Sequence, residues 1–284
     1  MTDRLRRHNV VAALGCLLVV LGFLLPASGW IRASLIGVGN SLFHVGGGTV
    51  TLRHSGGSAK PLGIFVSPGS VGLALGTMFP RGTGYFMLAG LALSGVLMLV
   101  MRYDAGEDCE TAKPELPLKP VFLASLMLLI AVTVRSYGGF AVHFEWKTGV
   151  FMPLLAVFAV FLGKFAGGFL CDRLGETRLA AVSLPLAAVL TAFFPQIAPL
   201  GILGQFLLNL TMPVTLLLLY KLMPDSPGFS FGMAASVLWP GALLAYGLPL
   251  SGSALSACIL ASFLAGLLAI FTAEKTLKNG GKLK

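Results

Sequence analysis

Charge is what this sequence has least of. Asp, Glu, Lys and Arg together make up 11% of its 284 residues, less than half the roughly 25% usual for a soluble domain, so a water-facing surface of that size is excluded. Carboxylates are the scarcest ions. Five of the eleven acidic residues fall in one stretch, as Asp104, Glu107, Asp108, Glu110 and Glu115, and none lies in the middle of an apolar run. The four cysteines, Cys16, Cys109, Cys171 and Cys258, show no metal-ligand spacing and read as unpaired. There is no phosphate-cradling glycine-lysine-serine loop, no clustered His and Cys and no nucleophilic triad, which argues against an ATP-driven pump, a metal site or an enzyme. No cofactor is implied. Short alternating segments are also missing, and with them the signature of a β-barrel.

Long apolar runs are present instead. Hydrophobic residues reach 56%, mean hydropathy is +0.88, and 36 glycines suit helices whose backbones approach closely in lipid. The expectation is an all-α polytopic membrane protein of about ten transmembrane helices. The spans read as 9–25, 30–52, 62–79, 83–101, 120–139, 149–170, 179–194, 200–223, 228–246 and 253–272, each near the length that crosses a bilayer. The hydrophilic stretch 103–119 divides a four-span portion, 1–102, from a six-span portion, 120–284.

A net charge of +9 does not indicate nucleic acid, because the basic residues sit in short clusters between spans. Counted on alternate sides, sixteen lie on one face (Arg4, Arg6, Arg7, Arg53, Lys60, Arg102, Lys113, Lys119, Lys164, Arg173, Arg178, Lys221, Lys275, Lys278, Lys282, Lys284) and four on the other (Arg32, Arg81, Arg135, Lys147). The positive-inside rule then places both termini and the linker in the cytoplasm. The expected location is the cell membrane, in a bacterium the inner one, with the lipid bilayer as partner.

Arg4, Arg6 and Arg7 before an apolar run also fit a signal peptide, but an internal repeat argues against it. Asp3-Arg4-Leu5 aligns with Asp172-Arg173-Leu174. Pro26 and Pro195 each follow their aspartate by 23 residues (26 − 3; 195 − 172), Asn40 and Asn209 each by 37, and Pro68-Gly69 matches Pro240-Gly241 after a three-residue shift. The same four-span unit thus occurs twice. Two further spans precede the second copy and none precede the first, so two helices are expected to be missing from the first half.

The segment Gly168-Phe169-Leu170-Cys171-Asp172-Arg173-Leu174-Gly175-Glu176-Thr177-Arg178 resembles the cytoplasmic loop motif of the major facilitator superfamily, and Asp3-Arg4-Leu5-Arg6-Arg7 resembles the tail of the same motif. Gly63, Ser67-Pro68-Gly69, Gly72 and Gly76 are similar to the glycine-proline motif in the fifth helix of facilitator antiporters. Asn40-Ser41-Leu42-Phe43-His44 before Gly46-Gly47-Gly48 is similar to the fourth helix of fosmidomycin-resistance-type exporters. The resemblance implies a two-half bundle in which Asp172, Arg173, Gly168, Gly175, Arg178, Asp3 and Arg4 govern conformation, and Gly63, Pro68, Gly69 and Gly72 govern helix packing. From its own chemistry, Asp172 can cap the following helix or pair with a basic residue such as Arg173 or Arg178.

A charge inside the bilayer costs about 2.5–3.5 kcal/mol by insertion scales. Arg135, deep in the fifth span, therefore stands out as a group that attracts an anion, pairs with Glu145 or snorkels to the surface. His44 beside Asn40, and Gln205 one turn from Asn209, are the remaining polar candidates, with helix-to-helix glue as the structural alternative. In the resembled family the spans carrying Asn40, His44, Arg135, Gln205 and Asn209 line the central cavity. The implied function is secondary transport of a small organic solute by alternating access, as proton-coupled export. A transport-incompetent remnant acting as a membrane scaffold, and a transporter whose start was misassigned, are the alternatives.

Overall fold

A computed structural model describes residues 3, 7–79, 84–100 and 116–280. Every regular element among them is helical, in ten rods: α1 (His8–Leu24), α2 (Gly29–Arg53), α3 (Lys60–Met78), α4 (Gly84–Val100), α5 (Leu118–Ala141), α6 (Phe151–Leu174), α7 (Glu176–Phe193), α8 (Ala198–Leu222), α9 (Pro227–Gly247) and α10 (Gly252–Gly280). Seven of them are long and apolar enough to cross a membrane. Of the others, α1 and α4 are apolar but have 17 residues each, about 26 Å at 1.5 Å per residue, while α2 is a 25-residue helix rich in glycine and polar side chains. With Trp30, Phe86 and Leu118 all more than four-fifths exposed, the outer surface is apolar. The chain is a multi-pass membrane protein.

Three rods bend where proline removes a backbone donor. α3 breaks between Val66 and Pro68, α8 at Leu210–Thr211 ahead of Pro213, and α9 at Val237 ahead of Pro240. The bend in α8 matters most. That helix is the core of the second half, with Pro213 through Tyr220 all buried, and it touches α5, α6, α7, α9 and α10.

Contacts between the four-helix and six-helix portions run chiefly through α3 with α6 and α2 with α9, with α3 also touching α8. The α3–α6 and α2–α9 crossings depend on glycine. A Cβ on Gly63 would stand 2.8 Å from the carbonyl oxygen of Lys164 and 3.1 Å from Gly168 Cα, and one on Gly168 would stand 2.7 Å from the Ala59 oxygen. Gly48 leaves room for the ring of Phe231 in the same way. Farther along α3, Gly69, Gly72 and Gly76 have nothing within 4 Å of a hypothetical Cβ among the described residues. Gly241, which aligns with Gly69, is instead filled by Thr133 and Ser136 of α5.

Candidate functional site

The tight α3–α6 crossing brings the end of α6 against the start of α3, and there Asp172 has its partners. Its carboxylate accepts from the backbone N–H of Ala59 (2.7 Å) and of Lys60 (3.3 Å), and from the Ser58 hydroxyl (2.5 Å). The sequence suggests a cap on the following helix or a pair with a basic residue such as Arg173 or Arg178; the structure gives a cap, but on α3, and the basic neighbour is Lys60. Gly175, at φ +85°, turns the chain sharply before α7, Arg173 and Arg178 are exposed, and the close α3–α6 crossing brings the Asp172 carboxylate to the start of α3. Lys60 adds a distant ionic contact at 4.0 Å.

Asp3 repeats the arrangement. Its carboxylate accepts from the N–H groups of Gly228 (2.9 Å) and Phe229 (3.0 Å) at the start of α9. Each half thus presents one aspartate to a helix N-terminus in the other, where unsatisfied N–H groups and the helix dipole favour a negative charge. Arg4 lies outside the described residues. Beside the Asp172 cap, Lys221 at the end of α8 pairs with Glu176 at the start of α7, 2.6 Å apart. That pair was missed in the sequence, since 45 residues separate its members and neither is unusual alone.

The polar candidates fall into two groups. His44 Nδ1 donates to the Asn40 carbonyl one turn back (3.0 Å), and its ring packs edge-on against Phe43 and Phe65. The Asn40 side chain is exposed. In the second half Asn209 donates to the Gln205 carbonyl (2.8 Å), and the Gln205 side-chain oxygen accepts from the Lys147 ammonium (3.0 Å). No hydrogen bond or ring contact among the described residues joins the first group to the second.

Arg135 does not pair with Glu145. Its guanidinium Nη1 donates to the Thr211 hydroxyl at 3.1 Å, because the bend in α8 turns that hydroxyl toward α5, while Glu145 lies in the 142–149 loop, where its N–H donates to Gln196. Arg135, Thr211, Thr215 and Ser262 border a small cavity among α5, α7, α8 and α10 of about 10 Å³, room for a single water. A larger recess of about 320 Å³ lies at the cap end, between Leu116 to Val121 and Leu222 to Ser226, away from these polar residues.

Lys164 is a second correction. Counted above with the cytoplasmic cluster, it lies in the middle of α6, where Gly163 and Gly167 seat that helix on α8 at Asn209 and Leu210. Its position inside a span was legible; the sign count swept it to the nearer side. The 142–149 loop is also more ordered than a solvated loop would be. Trp146 donates to the Pro195 carbonyl (2.8 Å), Gln196 ties down Glu145 and His143, and the Lys147 ammonium sits 4.2 Å from the centre of the Phe144 ring. Burial pushes the Lys147 ammonium down to about 8.

No protein-family profile matches the chain. It is similar to the fosmidomycin resistance protein of Escherichia coli (strain K12), 27% identical over 245 residues, covering 72% of this chain. The chain spans 60% of that relative's length. Among solved structures it is similar to the Escherichia coli fucose:proton symporter, with a TM-score of 0.70 at 13% identity, covering 97% of this chain and 86% of the other. A crystal structure titled as a Major Facilitator Superfamily transporter in the outward conformation superposes with a TM-score of 0.67 at 12% identity, covering 95% and 82%.

Proposed function

The chain has the major facilitator fold, and on that premise we propose that it serves secondary active transport of a small organic solute by alternating access, as export coupled to protons. The observation that carries this reading is the reciprocal pair of inter-half caps. Asp172 on the start of α3 and Asp3 on the start of α9 hold the two halves together at one end of the bundle. A contact of two or three charge-assisted hydrogen bonds per side is strong enough to favour one conformation and weak enough to open. Gly175 turns the chain beside that latch, with Gly168 setting the distance. Asn40, His44, Arg135, Gln205 and Asn209 are assigned to the solute path. The similarity to a proton symporter supports proton coupling, and that to a resistance protein supports outward direction.

The test reads accessibility at both ends. In a chain freed of its native cysteines, Met223→Cys reports the cap end and Thr148→Cys the opposite end. Asp172→Asn is expected to raise labelling by an impermeant maleimide at Met223→Cys and lower it at Thr148→Cys. Unchanged labelling at both positions would refute a latch.

One observation favours a second reading, a membrane scaffold without transport of its own. Among the described residues the Gly69, Gly72 and Gly76 face is open where the aligned face of α9 is covered by α5. Uptake of solute into liposomes containing this chain alone would exclude it.

A further inference from the structure

Two cations sit within helices of the second half, Arg135 in the last third of α5 and Lys164 near the middle of α6. No Asp or Glu among the described residues forms an ion pair with either. Arg135 donates to Thr211. The Lys164 ammonium has no hydrogen bond or ion pair among the described residues. The two lie at one height: Gly163 meets the Cβ of Asn209 and Gly167 meets Leu210, so Lys164 is level with the bend in α8 at which Arg135 arrives. Each is within electrostatic reach of the other.

Like charges brought together out of water repel one another and lose hydration, and buried charges persist where they are paired. Here the protein supplies the donors and not the counter-ion. The guanidinium offers a planar fork suited to an oxyanion, the ammonium a point charge at the same level, and the Thr211 hydroxyl and Asn209 amide add polar groups there. We propose that Arg135 and Lys164, with Thr211 and Asn209, bind the oxyanion group of a small organic solute, so that the substrate is an organic anion. This rests on the transport reading and narrows it. Two positive charges match a dianionic phosphate-type group better than a carboxylate, and a neutral solute not at all. The water-sized cavity beside Arg135 means that α5, α6 and α8 must part for the solute to enter, as alternating access requires.

The experiment is calorimetric titration of the purified chain in phosphatidylcholine nanodiscs with phenyl phosphate, benzoate and benzamide. Phenyl phosphate is expected to bind most tightly, benzoate less so and benzamide undetectably. Lys164→Met is expected to weaken phenyl phosphate by at least about tenfold, or about 1.4 kcal/mol, while Lys164→Arg retains it. Without ligand, Lys164→Met should unfold no earlier than the parent, since an uncompensated cation is gone; a merely structural lysine would move the other way. Equal affinity for benzamide and benzoate, or full phenyl phosphate affinity in Lys164→Met, overturns the site. So does loss of phenyl phosphate binding when phosphatidylglycerol is added, which would assign the cations to a lipid headgroup. Binding of benzamide alone would sink the anion site and leave transport standing. Anion binding with unshifted labelling in Asp172→Asn would do the reverse.

Discussion

Lys147 shows what a single side chain gains from its surroundings. Its ammonium is held between the Gln205 oxygen and the Phe144 ring, and burial lowers its pKa to about 8, against about 10.4 in an unfolded chain. Between those values the unfolded state holds a proton that the folded state has released, so stability must rise as pH increases from about 8 toward 10.4. The melting temperature of the parent should climb across that window relative to Lys147→Met; parallel curves would show that the group is not desolvated. Arg135 makes the complementary point. Its depth was legible from the apolar residues before it, but its partner was not, because Thr211 is 76 residues away and reaches α5 only through the bend that Pro213 imposes on α8.

At the scale of helices, glycine decides which elements touch. Gly168 and Gly69 are both helical glycines in motifs that the sequence singled out, and the sequence treats them alike. The structure separates them. Gly168→Ala places a Cβ against backbone atoms of Ala59 and Lys60, which cannot move without shifting α3, and is expected to destabilise by about 1–3 kcal/mol. Gly69→Ala meets open space and should be neutral or stabilise by up to about 1 kcal/mol through helix propensity. Unfolding of the two variants in detergent by circular dichroism checks both. Equal losses would mean that the Gly69 face is packed after all.

At the scale of the whole molecule, the two caps act on one interface. Asp172 joins α6 to α3 and Asp3 joins the region before α1 to α9, so each can hold the halves together while the other is open. Asp172→Asn and Asp3→Asn each remove the negative charge at a helix N-terminus and are expected to weaken a cap by about 0.3–1 kcal/mol. The double variant should shift the Met223→Cys labelling by more than the sum of the singles, because only it frees both sides. Strict additivity would mean that the caps work independently.

The sequence by itself determined the solvent, the helical class, the approximate spans and the internal repeat. Those follow from composition and spacing, which are local or periodic quantities, and the helical rods match the expected spans to within a few residues in most places. It also marked Asp3 and Asp172 as equivalent, because the repeat keeps register around them. Only the tertiary structure decided what each aspartate holds, since their partners lie 225 and 113 residues away in the opposite half. It decided as well that Lys164 lies inside α6, level with the bend in α8, and not with the surface cluster. Which faces of two helices meet depends on where small residues let backbones approach, and glycine looks the same in sequence whether it is pressed against a neighbour or turned toward open space.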